Sequence, residues 1–306
     1  MKSTRINITF MTLVSAVWIL SISNFVAEHS YQKEITFGFY SSIIEERNAN
    51  ELIDSFKIWG QAIQKQSKVE WFSKAKINYH VYLNRKEFFD AIKNSRVEFI
   101  NLSSLDFYEM KLQNLVTPLL AANKMPGTKF AKYLLVAHSS SSINSISDIK
   151  KGEIIIPNSY SLNLMKTWIN VELKEKQGKG LRNSISIISS EEKENEALYG
   201  VFFKKIEYCV MHEATLLIAS ELNPQLKKSI KVIAYSPNLI NNFLANLTDA
   251  DPASVEILLK EGIQLQKHVW GKQLLNLMQS ESMHKINLED MNETTEMINK
   301  YNLFFK

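Results

Sequence analysis

Tyr133-Leu134-Leu135-Val136-Ala137, the polar run Ser139-Ser140-Ser141-Ser142, the turn Ile146-Ser147-Asp148-Ile149 and then Glu153-Ile154-Ile155-Ile156 decide the fold. An apolar strand that ends in a turn, re-enters through a short helix and becomes a second strand is the repeating unit of an open α/β sheet. The unit continues downstream. Pro157 and Asn158 stop the second strand, and Ser159 or Ser161 caps a helix predicted over 162–176. Leu164, Met165, Trp168, Ile169 and Leu173 form its apolar face, and Gly178-Lys179-Gly180 ends it. Strands follow over 185–188, 207–211 and 230–235. Ser189-Ser190-Glu191-Glu192 reads as a capping box, and a helix runs from His212-Glu213 to about Leu222.

Upstream, the same alternation has already run once. Glu34-Ile35-Thr36-Phe37-Gly38-Phe39-Tyr40 alternates as a strand and ends in Ser41-Ser42, and Ile53, Phe56, Trp59 and Ile63 then fall on one helical stripe. Strands are predicted over 77–83 and 97–102, with helices over 86–93 and 105–112. Asp251-Pro252, an N-cap with proline at the first helical position, starts a long helix, and the remainder reads as helical, including 288–301. Two linkers, 118–127 and 229–237, bracket the inserted block. The expected class is therefore α/β and two-lobed, with mostly parallel sheets flanked by helices. Residues 28–125 with 234–306 form one lobe, 126–233 form the other, and the two crossings make a hinge.

The first residues add a compartment. Lys2 and Arg5 precede 6–27, which carry no charge, and Glu28 and His29 restore polarity. That is the layout of a signal peptide, residues 1–27, with an uncleaved membrane anchor as the alternative. Across the chain 36 Lys and Arg stand against 32 Asp and Glu, without a basic block long enough to follow a nucleic-acid backbone. The single cysteine, Cys209, lies in an apolar run and is read as a buried thiol, so no intrachain disulfide or Cys/His metal set is expected. No cofactor is expected either, and the chain is expected to be a monomer.

With this order of elements the chain resembles the phosphonate-binding branch of the periplasmic substrate-binding proteins, which also covers phosphate- and phosphite-binding relatives and has the type 2 periplasmic-binding-protein fold. The signposts are 35–39 as first strand, the turn ending in Asp106-Phe107-Tyr108, Ser145-Ile146-Ser147-Asp148-Ile149-Lys150, and Ile154-Ile155-Ile156-Pro157 leading to Ser159-Tyr160-Ser161. The sequence departs from the family where Asn158-Ser159-Tyr160-Ser161-Leu162 replaces a hydroxyl-rich turn with glycine. The resemblance implies capture of a small oxyanion outside the cytoplasm for the permease of an ABC importer. It equally admits a sensory module that reports to a membrane protein.

In open parallel sheets ligands sit beyond the carboxyl ends of strands. That rule nominates Tyr40 and Ser41 after the first strand, Ser103 and Ser104 after the third, Tyr108, the run 139–142, Ser159, Tyr160 and Ser161, with His212 facing them. Hydroxyls and the free N–H groups of a helix start suit an anion. Each nominee also has a plainer role. The serines cap helices whatever the function, Tyr40 and Tyr108 pack, and His212 is satisfied at a strand end. No catalytic motif is present, and a hydrolase with dispersed Ser, His and acid ranks last.

Overall fold

The computed structural model describes residues 33–40, 46–125, 127–159, 161–177, 185–277 and 280–306. The export segment 1–27 and the nominees Ser41 and Tyr160 lie outside the described residues. Among the described residues no helix is long and apolar enough to cross a membrane.

Two sheets carry the molecule. The first contains β1 (Glu34–Tyr40), β2 (Lys76–Tyr82), β3 (Phe99–Ser103), β4 (Val116–Asn123), β10 (Asn242–Leu247) and β11 (Ser282–Lys285), in the order β11-β4-β10-β3-β1-β2. The second contains β5 (Tyr133–His138), β6 (Gly152–Ile156), β7 (Ile185–Ser189), β8 (Tyr208–His212) and β9 (Ile230–Tyr235), in the order β7-β6-β8-β5-β9. The α/β, two-lobed class holds, with sheets that are mixed rather than mostly parallel. β1 runs parallel to β2 and β3, and β6 parallel to β7 and β8, but β10 opposes both β3 and β4, and β5 opposes both β8 and β9. The strand that follows each crossing, β5 or β10, enters its sheet from the opposite end and so runs against its neighbours.

Helices α1 (Glu46–Gln66), α2 (Glu70–Lys74), α3 (Arg85–Lys93) and α4 (Ser104–Glu109) belong to the first pass of the chain. In the inserted block come α5 (Leu162–Gln177), α6 (Glu194–Phe202), α7 (Glu213–Leu222) and α8 (Pro224–Ser229), and the chain ends with α9 (Pro252–Ile263), α10 (Val269–Leu277) and α11 (Asn292–Phe305). Each sheet has a buried apolar cluster on both faces, so its strands bury side chains in both directions. Cys209 lies fully buried in β8.

Four further sequence expectations change. Residues 118–123, read as linker, are part of β4, a strand hydrogen-bonded on both sides. Proline fits there because the register against β10 jumps from Leu244↔Leu120 to Ala245↔Pro118, and an irregularity removes the need for an N–H. β11 interrupts the helical remainder, with Met283 paired to Ala122. The capping box at 189–192 is not used: Ser189 ends β7 and Ser190 N–H donates to the Ile156 carbonyl (2.9 Å). The helix starts later, where the Lys193 N–H donates to the Glu196 carboxylate (2.8 Å). Finally α11, assigned with the first lobe, buries Met297 and Ile298 in the cluster that holds Trp168 and Ile169 of α5.

Gly271, near the start of α10, supplies a test of this packing. A Cβ there would lie 1.9 Å from the Leu265 carbonyl oxygen. Helix propensity alone favours alanine over glycine by about 1 kcal/mol. Backbone cannot yield as a side-chain tip can, so Gly271→Ala is expected to destabilise by about 1–3 kcal/mol in urea unfolding, the reverse of the propensity sign.

Candidate functional site

The chain leaves β6 through the buried Pro157 and makes a tight turn before α5. Ser159 shapes it, its hydroxyl accepting from Ser161 N–H (3.2 Å) and its carbonyl from Leu162 N–H (3.0 Å). This leaves the Ser161 side chain directed at the end of β8, where His212 stands. Ser161 Oγ lies 3.0 Å from His212 Nε2 and accepts the side-chain amide of Asn241 (2.8 Å). On the far side of the imidazole, Nδ1 is 2.5 Å from Glu194 Oε1. The second carboxylate oxygen of Glu194 accepts the Thr215 hydroxyl, lies 3.4 Å from the His212 backbone N–H and 3.5 Å from Lys124 Nζ. Lys124 also donates to Thr215 Oγ1 (2.9 Å), and the Tyr133 ring meets the imidazole edge-on at 5.1 Å.

The cluster is dry. Ser161 is 0% exposed, His212 2% and Glu194 7%, so each charge and hydrogen bond acts with little solvent screening. Burial alone would push the Glu194 carboxyl up. The His212 and Lys124 side chains and the Thr215 hydroxyl outweigh it and hold the group well below the ordinary range. Its place in the first turn of α6 favours the anion further. Because an ionised carboxylate only accepts, the proton between Glu194 and His212 sits on Nδ1.

Of the nominees, Ser159, Ser161 and His212 meet. Others are engaged elsewhere. Ser103 caps α4, accepting Asp106 N–H (3.1 Å) and donating to the Asp106 carboxylate (2.6 Å). Ser104 ties the first sheet to the returning chain, with its N–H on the Asn241 carbonyl (2.7 Å) and its hydroxyl on the Ile240 carbonyl. Tyr40 stacks on Phe88 at 5.3 Å, and Tyr108 bonds Thr295 of α11 through its hydroxyl. The run 139–142 lies at the wrong edge for a reason of topology. β5 opposes β8 with Tyr133↔His212 and Ala137↔Tyr208 in register, so the turn after β5 is at the far end of the sheet from His212. There Ser140, Ser141 and Ser142 line a separate cavity of about 660 Å³ together with Lys150, Lys204 and Glu207.

Sequence reading did not nominate Glu194, Lys124, Thr215 or Asn241. Asn241 precedes β10, a strand whose pattern did not declare itself, and Glu194 is one of four acids in 191–196 that look alike in the sequence. Arg85, a full positive charge beside the first lobe's nominees, is neutralised by Asp106 (2.9 Å) and Glu109 (2.7 Å). The order Ser161, His212, Glu194 is also that of a nucleophilic triad. Here Ser161 Oγ is fully buried and accepts the side-chain amide of Asn241.

A family model described as ABC transporter, phosphonate, periplasmic substrate-binding protein matches residues 42–291. A search of curated proteins returns no match. Among solved structures, XAC2383 from Xanthomonas citri bound to chloride ion superposes with a TM-score of 0.57 at 12% identity, covering 88% of this chain and 97% of that one. PhnD1 from Prochlorococcus marinus in complex with methylphosphonate gives 0.55 at 13% identity, covering 89% and 99%. A binding protein component of an ABC phosphonate transporter from Pseudomonas aeruginosa gives 0.52 at 12%, covering 89% and 87%. At these identities the structural likeness establishes the fold.

Glu194 generates a stability prediction with a defined sign. Its folded carboxyl titrates below the unfolded value of about 4.5, so its contribution is complete above that pH and is lost as pH falls towards the folded value. Glu194→Gln is expected to cost about 3 kcal/mol in urea unfolding at neutral pH, as for one half of a buried pair. The gap between variant and wild type should narrow steadily in acid.

Proposed function

The chain belongs to the family of periplasmic substrate-binding proteins of ABC phosphonate transporters, and from that premise we propose that it captures a small oxyanion of the phosphonate, phosphite or phosphate class and presents it to an importer permease. The observation that carries this reading is the seat at the start of α5. There a serine hydroxyl at a helix N-terminus is backed by a buried imidazole and flanked by an amide. Neutral donors and a helix start suit an anion that must be released again, since they bind it without fixing it to a full positive charge. Segment 1–27, with Lys2 and Arg5 ahead of an uncharged run, supplies the export signal or a tether to the membrane surface. The export reading is checked by fractionating the host cell and weighing the recovered protein.

Calorimetric titration of the purified protein with methylphosphonate, phosphite and phosphate is the direct test. At least one should bind saturably at one site. Ser161→Ala should weaken that binding about 10- to 100-fold, the effect of losing a hydrogen bond to a charged group. Silence of the wild type across the panel would overturn the reading.

A further inference from the structure

Deepening the proposed function and resting on it, we propose that the Glu194–His212–Ser161 chain makes capture proton-linked. An oxyanion is held on Ser161 only when one proton is shared along the line from His212 to the ligand. That makes singly protonated tetrahedral oxyanions, such as an alkylphosphonate monoanion, the matching substrate class. Each contact in the line, Glu194 to Nδ1, Nε2 to Ser161 Oγ, and Oγ to a ligand oxygen, accommodates one proton. The first contact is filled, because the Glu194 carboxylate is 2.5 Å from Nδ1 and can only accept. The other two contacts need two protons, and the Ser161 hydroxyl brings one.

The second proton has two sources. A ligand with a P–OH group donates it to Oγ, while Ser161 donates its own proton to Nε2. A fully ionised ligand such as a sulfonate must instead draw a proton from solvent onto Nε2, which then donates to Oγ and frees the Ser161 proton for the anion. In both arrangements Oγ donates once and accepts once along the line, which leaves its second lone pair for the Asn241 amide once the segment closes again. Both contain the same number of protons, so the conclusion does not depend on which nitrogen or oxygen carries each one.

The groups around the imidazole fit that role. Glu194 of α6 is in contact, and Lys124 of the first crossing lies 3.5 Å from that carboxylate. The Tyr133 ring of β5 packs edge-on at 5.1 Å, Ser161 closes the α5 side at 3.0 Å, Cys209 lies on the same strand, and Glu213 follows in the chain. Lys124 already balances Glu194, so a proton added to His212 is offset only when an anion arrives. His212 and Glu194 are thus positioning residues that set whether Ser161 presents a lone pair or a proton. Ser161 is covered by Asn241, which precedes a strand of the first sheet, and becomes open to a ligand when that segment moves away from α5.

The experiment is calorimetric titration of the whole protein with methylphosphonate and methanesulfonate over a pH series, each in two buffers of different ionisation heat. Methanesulfonate binding should take up close to one proton on the alkaline side, and its affinity should fall about tenfold per pH unit there. Methylphosphonate should hold its affinity to higher pH and bind without uptake while it is still singly protonated. His212→Gln, whose amide donates to Ser161 without titrating, should retain methanesulfonate and flatten its pH slope. If that variant does not fold, the proton count on the wild type still decides. Binding of both ligands with no uptake and no pH slope overturns the inference and leaves the function standing. Silence towards every oxyanion overturns the function, and this inference with it.

Discussion

Two chain segments pass between the sheets, and they are bonded to each other. Ala131 N–H donates to the Leu239 carbonyl (2.7 Å) and Leu239 N–H to the Ala131 carbonyl (2.9 Å), an antiparallel bridge of a single residue pair. Tyr133 N–H on Ser236 Oγ and Ser236 N–H on the Tyr133 carbonyl, both 2.8 Å, continue the pairing into the second sheet. This pairing fixes where each sheet begins. It also fixes the site, because Lys124 and Asn241 flank the crossings and Tyr133 opens β5 immediately beyond the first. A movement of the crossings therefore moves the groups that cover Ser161 and balance Glu194. Hinge and seat are one construction.

Electrostatics explains why the seat is made of neutral groups. A carboxylate buried without partners would cost several kcal/mol. Glu194 is buried with four donors directed at it or near it, and those donors come from the first crossing, β8 and α7. Once Lys124 is committed to that balance, no full positive charge is left over at Ser161 among the described residues. On the first lobe Arg85 is likewise committed, to Asp106 and Glu109, and the Tyr40 hydroxyl bonds it as well. An anion meeting these surfaces finds dipoles and hydroxyls. Under the proposed function such a seat would discriminate by counting hydrogens more than by attracting charge.

Legibility in the sequence followed burial. α1 and α5 carry clear stripes because each has one face turned from the core, and β1 alternates in sequence because the small Thr36 and Gly38 stand between Ile35, Phe37 and Phe39. β10 is buried along five of its six positions and begins and ends its apolar stretch among asparagines, so no alternation marks it. β4 was hidden by Pro118, which the sequence alone assigns to a loop and the structure assigns to a register shift. Ser159, Ser161 and His212 come together as the strand-end rule expects because β6 and β8 run parallel. The run 139–142 failed under the same rule because β5 does not. Direction of a strand is a property of its partners, which local sequence does not encode. The same limit hid Glu194, whose importance comes from the strand it faces.

The C-terminal helix constrains how the lobes can part. α11 reaches the second crossing through Glu293, which accepts Asn238 N–H (2.8 Å), and Thr294, which accepts Ile240 N–H (2.9 Å). It reaches α4 through the Tyr108 hydroxyl on Thr295, and α5 through Met297 and Ile298 in the Trp168 cluster, with Lys300 on Glu175 at 3.0 Å. Full burial of two apolar side chains stabilises by roughly 3–6 kcal/mol, against about 1 kcal/mol for one hydroxyl hydrogen bond. Leu105 and Tyr108 only partly cover the same cluster. Were the lobes to part, α11 would therefore stay with α5 and the second crossing, and the contacts to break would be Tyr108 on Thr295 and Lys306 on Glu109. The separating surface would then run between α4 and α11 and on between Ser161 and Asn241, which leads directly to the proposed seat.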